Sequence, residues 1–337
     1  MATVLDNIVM FCGSGIVLSP YRDVYMSDTT RFVRFPLIAT CLRPCAVALL
    51  VLQAACASLP ENPTMEQLVD FANDGDTKAQ TDLGRKYHLE TREFDKAVYW
   101  YGKAAEAGDA KAQNNLGLMY QYGQGVQRDY SRAATLFKQS AKQDLPQAQF
   151  NLAELYLKGE GVTRNEAHAA ELYEEAADND FAPAQLQLGL LYLEGRGVEQ
   201  DDDDALEWIE VAAEAGDLNA QNTLGWMYES GTGVKQDTHQ AVEWFEKSAT
   251  GGHGLAQRNL GFVLLRDGRS AADATTAAAW MEKAATQGIL DAQIALAGLY
   301  ETGRGVPQNE GQAANWYRRA AEQGNAAAQY ALGTFYE

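Results

Sequence analysis

Acyl chemistry on a serine hydroxyl, as β-lactam-active enzymes perform it, uses a lysine three residues downstream of the nucleophile. None of Ser131, Ser140, Ser230, Ser248 and Ser270 has lysine at that offset, and Ser140, with Lys142 two residues on, comes nearest. The four histidines, His88, His168, His239 and His253, form no H-E-x-x-H pattern and none pairs with a cysteine, so no zinc ligand set can be read from them. The run Asp201-Asp202-Asp203-Asp204 is acidic enough to suggest calcium, but a calcium loop requires glycine at its sixth position, and Leu206 stands there. A solvated helix start, favoured by the N-terminal helix dipole, accounts for the run. Five G-x-G pairs lack the third glycine of a dinucleotide fingerprint and fall between helical stretches. The sequence therefore leads to no enzyme, no metal and no cofactor.

The elements that carry these residues belong to a chain of 337 residues with 46% hydrophobic content, enough to bury a core. Its 46 acidic residues against 27 basic ones leave a formal charge of -19, which repels nucleic acid and anionic membrane over most of the surface. All four cysteines, Cys12, Cys41, Cys45 and Cys56, lie in the first 56 residues, so neither disulfide nor thiolate zinc holds the body together. That stretch also contains Arg31, Arg34 and Arg43, then the apolar run from Cys45 to Leu52, then Ala55-Cys56-Ala57, in the order of a secretory signal peptide. Cleavage after Ala57 and lipidation of Cys56 both fit, the second less well because Gln53 interrupts a lipobox. The apolar stretch, about 12 residues, is shorter than the roughly 20 that a spanning helix needs. Residues 1–25 precede a better start at Met26 and carry no signal of their own. The expected location is periplasmic or otherwise exported, with an outer-membrane lipoprotein as the variant if Cys56 is lipidated.

From Ala79 onward the sequence repeats itself. Ala-Gln recurs at Ala79, Ala112, Ala148, Ala184, Ala220, Ala256, Ala292 and Ala328, the first spacing being 33 residues and the next six 36. Each unit reads as two helices. In the first, Ala220, Leu224, Met227 and Tyr228 fall on one face of a 3.6-residue period, with a small residue such as Gly225 beside the leucine. Glycine inside a helix costs about 1 kcal/mol relative to alanine, so a close helix contact is expected there. A G-x-G-Val loop follows, then an N-cap at Asp129, Asn165, Asp201, Asp237, Asp273 or Asn309, then a second helix ending at Gly108, Gly216, Gly252, Gly288 or Gly324, with Asp144 and Asp180 in the equivalent place. The first unit lacks the loop, and the sixth replaces the tyrosine by Leu264 and the loop by Asp267-Gly268-Arg269.

Leu116-Gly117-Leu118-Met119-Tyr120, Gly123-Gln124-Gly125-Val126, Trp316-Tyr317-Arg318-Arg319-Ala320-Ala321 and their equivalents resemble the Sel-one-like repeat family, relatives of the tetratricopeptide repeats. The resemblance covers residues 79–337 and implies an all-α fold, a right-handed α/α superhelix of helix-turn-helix repeats. The domain reading is a leader over 1–57, an N-terminal cap helix within 58–78, and seven full repeats plus the first helix of an eighth over 79–337. Ending at Glu337 without the partner helix, the sequence reads as truncated. The resemblance further implies a non-enzymatic scaffold or adaptor that binds a protein or peptide in the cell envelope, with a regulatory role. The alternative is an envelope hydrolase of the β-lactamase-like or peptidoglycan-active type, but the cysteine-rich pattern of family members linked to β-lactams is absent.

With no reactive constellation, function falls to the surface. Positions 2, 6 and 9 after each Ala point away from the Ala, Leu and Tyr stripe at 100° per residue. They include Leu118, Phe150, Leu186, Leu190, Asn222, Trp226, Arg258 and Phe262. By resemblance the first helices line a concave groove for a peptide; the competing expectation is that these side chains pack against the next repeat. Trp226, Arg258 and Phe262 are the best contact candidates, since aromatic and arginine side chains are enriched at binding hot spots.

Overall fold

The computed structural model describes residues 59–268 and 270–334. The leader, its cleavage sites and Cys56 lie outside the described residues. Among the described residues the regular structure is helical throughout. Helix α1 (Met65–Asn73) precedes seven hairpins. These pair α2 (Thr77–Lys86) with α3 (Phe94–Glu106), α4 (Ala110–Tyr122) with α5 (Tyr130–Ala141), and α6 (Pro146–Lys158) with α7 (Glu166–Asp178). The array continues with α8 (Ala182–Glu194) and α9 (Asp202–Glu214), α10 (Leu218–Ser230) and α11 (Thr238–Thr250), and α12 (Gly254–Asp267) and α13 (Ala271–Thr286). The last hairpin is α14 (Leu290–Thr302) with α15 (Glu310–Glu322), followed by α16 (Ala326–Thr334). The hairpins stack in register as a right-handed α/α solenoid.

Each hairpin closes on one contact. A large second-helix side chain lies over the small first-helix residue beside the leucine: Tyr101 over Gly84, Phe137 over Gly117, Ile209 over Gly189 and Phe245 over Gly225. A Cβ on any of these glycines would fall 2.6 Å from the covering side chain, so the glycine recovers its helix penalty as packing. The covering residues are fully buried at the centre of each repeat. Burial also pushes the Tyr101 phenol up to about 12.

Capping follows the sequence closely. Gly123, Gly159, Gly195, Gly231 and Gly303 take left-handed φ of 63–76° and end the first helices. Asp129, Asn165, Asp201, Asp237 and Asn309 then accept first-turn amides at 2.9–3.2 Å. The second glycine of the loop has a different task. At Gly161, Gly197 and Gly305 a Cβ would lie 2.2–2.3 Å from backbone at the start of the preceding second helix, so the loops seat backbone against backbone between repeats.

Two repeats depart. The first replaces the glycine loop by a π-helical turn, Tyr87–Thr91, ending on Arg92 at φ 56°. In the sixth, Asp273 is not the N-cap. Ser270 caps α13, accepting from the Asp273 amide at 3.1 Å while the Asp273 carboxylate accepts from the Ser270 amide at 3.0 Å. This reciprocal box extends the helix back by a turn, whereas a lone aspartate would satisfy amides on one side only. Ser270 stands where other repeats have Val126, Val162, Val198, Val234 or Val306, and a groove of about 720 Å³ lies here, lined by Leu264, Ala271, Ala274, Val306 and Pro307 among others.

The glutamine of each Ala-Gln pair joins repeat to repeat. Gln80, Gln185, Gln221, Gln257 and Gln293 are buried and donate at 3.0–3.2 Å to the carbonyl eight residues back, in the last turn of the preceding helix, where each carbonyl also accepts the backbone amide three residues on. In three repeats a second glutamine locks the first. Gln143, Gln287 and Gln323 donate to Oε1 of Gln113, Gln257 and Gln293 at 2.8–2.9 Å, and also to the carbonyls of Gly108, Gly252 and Gly288. The equivalent positions elsewhere are Asn179, Ala215 and Gly251, and there the buried Oε1 atoms of Gln149, Gln185 and Gln221 have no hydrogen-bond partner.

Ala215→Gln restores the missing lock without a change of backbone, since Ala215 (φ -67°, ψ -7°) already has the conformation of Gln287 (φ -78°, ψ 0°). Thermal and urea unfolding are expected to show a gain of about 1 kcal/mol. A second prediction concerns His253, which caps α12 through Nδ1, accepting from the Ala256 amide at 3.3 Å. Burial lowers its pKa below the ordinary 6.5, while Asp217 pulls the other way. The unfolded chain therefore takes the proton first, so the stability present above about pH 6.5 is lost as pH falls through the folded-state value. His253→Asp, matching Asp76, Asp109 and Asp217 at the same cap, is expected to flatten the stability loss between about pH 7 and pH 5.5; equal pH slopes in the two proteins would refute the role.

Candidate functional site

Several of the residues singled out for chemistry make hydrogen bonds within the array. The Ser140 and Ser248 hydroxyls are fully buried and donate to the Ala110 and Leu218 carbonyls at 2.7 Å, tying the end of a second helix to the start of its own first helix. Neither can act as a nucleophile without breaking that link. His88 meets Gln124 at 2.9 Å between Phe94 and Tyr101, and His168 meets the Glu171 carboxylate at 2.8 Å. Asp201 spends its carboxylate on the Asp203 and Asp204 amides, and among the described residues no group of three or more His, Cys, Asp or Glu side chains could hold a metal. No described helix is long and apolar enough to cross a membrane.

The first helices of neighbouring repeats meet along one face. Asn151 donates to Asn114 Oδ1, and Asn259 to Asn222 Oδ1, each at 2.9 Å and each from one first helix to the one before it. The expected contact residues divide here. Leu186 is 5% exposed and belongs to the core, which removes it from any surface. Leu118 and Phe150 pack at the edge of the core around α5 to α8, with Phe150 edge-on to Tyr173 and Phe181, and Leu190 packs against the core between α9 and α10. Position 6 is thus filled by packing leucines in the second and fourth repeats.

In the fifth and sixth repeats that position opens outward. Trp226 and Phe262, 36 residues apart, are 44% and 39% exposed. Asn222 and Arg258 stand one turn before them. Arg258 is a strut rather than a free cation. It binds Asp291 of the next repeat at 2.6 Å and Asn259 at 2.6 Å, and its guanidinium carbon lies 5.6 Å from the Phe262 ring centre. Arg266 likewise spans to Glu229 at 2.8 Å and to Asp267 at 2.9 Å. The Phe262 ring therefore lies beside a paired arginine, with Trp226 exposed one repeat before it, an arrangement suited to recognising another chain. Asn259, Asp291 and Glu229 did not stand out in the sequence, because their partners lie 33 to 37 residues away and become neighbours only on stacking.

Comparison with known proteins agrees with this reading of the fold. A family model for the Sel1 repeat matches residues 77–109, 110–145, 146–181, 182–217, 218–253, 254–289 and 290–325. Among solved structures, a Sel1 repeat protein from Oxalobacter formigenes is 34% identical with a TM-score of 0.69, the match covering 80% of each chain. A protective antigen present in uropathogenic Escherichia coli strains, displaying an SLR fold, is 35% identical with a TM-score of 0.60 over 82% of this chain and 68% of that one. The family is generally a non-catalytic scaffold for protein–protein interaction. With seven consecutive matches in register over most of its length, this chain belongs to the Sel1 repeat family.

Proposed function

We propose that the chain is an exported scaffold or adaptor of the cell envelope, regulating an envelope complex by binding a protein or peptide through the first-helix face of its fifth and sixth repeats. The observation that carries the binding face is the exposure of Trp226 and Phe262 at a position where Leu118 and Leu190 are partly buried against the core. Large aromatic side chains left on a surface are poorly solvated, and they return the most on association when their support is already rigid. The reading of export rests on the composition of residues 26–57, where arginines, an apolar run and small residues follow in order. Lipidation at Cys56 would tether the scaffold to a membrane without a spanning helix.

Affinity capture from an envelope extract of the host with the full chain as bait, read by mass spectrometry, tests this directly. A specific envelope protein is expected with the wild type and is expected to be lost on Trp226→Ala plus Phe262→Ala, with affinity falling at least tenfold while helical content holds. Retention of the same partner by the double variant would move the binding face elsewhere.

A further inference from the structure

Position 6 of the seventh repeat is Gly298, next in line after Trp226 and Phe262. The glycine seats no covering helix there: an added Cβ would meet only the Tyr317 hydroxyl, 3.9 Å away. The aromatic row thus ends in an open gap over Gly298. At its edge the Glu301 carboxylate accepts from the Tyr317 hydroxyl at 3.0 Å and joins no ion pair among the described residues. The other acids of this stretch, Glu229, Asp267 and Asp291, are each matched by Arg258 or Arg266. The net charge of the chain, -19, has the same sign as Glu301.

Resting on the binding face proposed above, we infer that the partner presents a segment in which a large apolar side chain enters the gap over Gly298 against Phe262 and a neighbouring lysine or arginine pairs with Glu301. The apolar group gains burial on a surface that already exists, and the cation gains a carboxylate that only a neutral hydroxyl now holds. An acidic segment is repelled both by Glu301 and by the net charge.

Selection of a displayed library of random short peptides on the full chain is the test. Enrichment of a large apolar residue next to Lys or Arg is expected, with loss of at least tenfold in affinity, ~1.4 kcal/mol, for the selected peptide on Gly298→Leu. Glu301→Gln is expected to abolish the preference for a basic neighbour while the apolar preference remains. Both variants lie at open positions, and a cooperative thermal unfolding transition no lower than that of the wild type by more than a few degrees confirms that they fold. Enrichment of acidic or purely polar peptides, or of none, overturns the inference, as does a selected peptide insensitive to Gly298→Leu. Light scattering covers a different occupant: a dimer that Gly298→Leu dissociates assigns the gap to a second copy and overturns it too. If the envelope partner depends on Trp226 and Phe262 but is indifferent to Gly298→Leu and Glu301→Gln, this inference fails and the binding face stands.

Discussion

The seat of one large second-helix side chain on one small first-helix residue sets the geometry from which the rest follows. Phe245 can lie flat on α10 only because Gly225 presents no Cβ, and the same holds for Phe137 on Gly117 and Ile209 on Gly189. Because the contact recurs every 36 residues after the first repeat, the next hairpin meets an equivalent surface. The glutamine bridges then fix how the repeats stack. They run from a buried amide to a helix-end carbonyl that also accepts the backbone amide three residues on, so a shift of one repeat against the next would strand the glutamine amide in the core. An array built in this way is stiff enough to hold exposed aromatics in place, which a single hairpin with one apolar face could not do.

Much of this was legible in the sequence because it is local or periodic. The Ala, Leu, Met, Tyr stripe, the first loop glycine and the Asp or Asn cap each act within a few residues, and each recurs often enough to be recognised by spacing alone. Asp144 and Asp180 show the same logic, adopting φ of 56° and 57° where other repeats place glycine. The failures are physical too. Asp273 lies at the repeat position of a cap, but Ser270 three residues earlier forms a reciprocal box with it, and cooperation between the two wins over periodicity. Leu186 and Phe262 look alike as apolar residues pointing away from the stripe, yet one is buried and the other is not, because exposure depends on what the neighbouring repeat supplies. The glutamine pairs are not legible from spacing, since Gln143, Gln287 and Gln323 lie 30 residues from their partners and recur in only some repeats.

Function in such a molecule is carried by departures from the repeat. Ser140, Ser248, Ser270 and His253 are absorbed into caps and buried links, and Arg258 and Arg266 on the first-helix face brace one repeat against another. The line proposed for recognition, Trp226, Phe262 and Gly298, is one repeat position at which the side chain changes from unit to unit. The strong negative charge adds long-range selection among partners but does not shape the fold.

The central claim is that this line on the first helices is where a partner binds. Amide hydrogen exchange of the full chain, with and without its captured envelope partner, addresses it most directly, because protection is read along every helix at once. The account predicts that added protection concentrates in Leu218–Ser230, Gly254–Asp267 and Leu290–Thr302. Protection confined to the second helices Asp202–Glu214 and Thr238–Thr250 would contradict it.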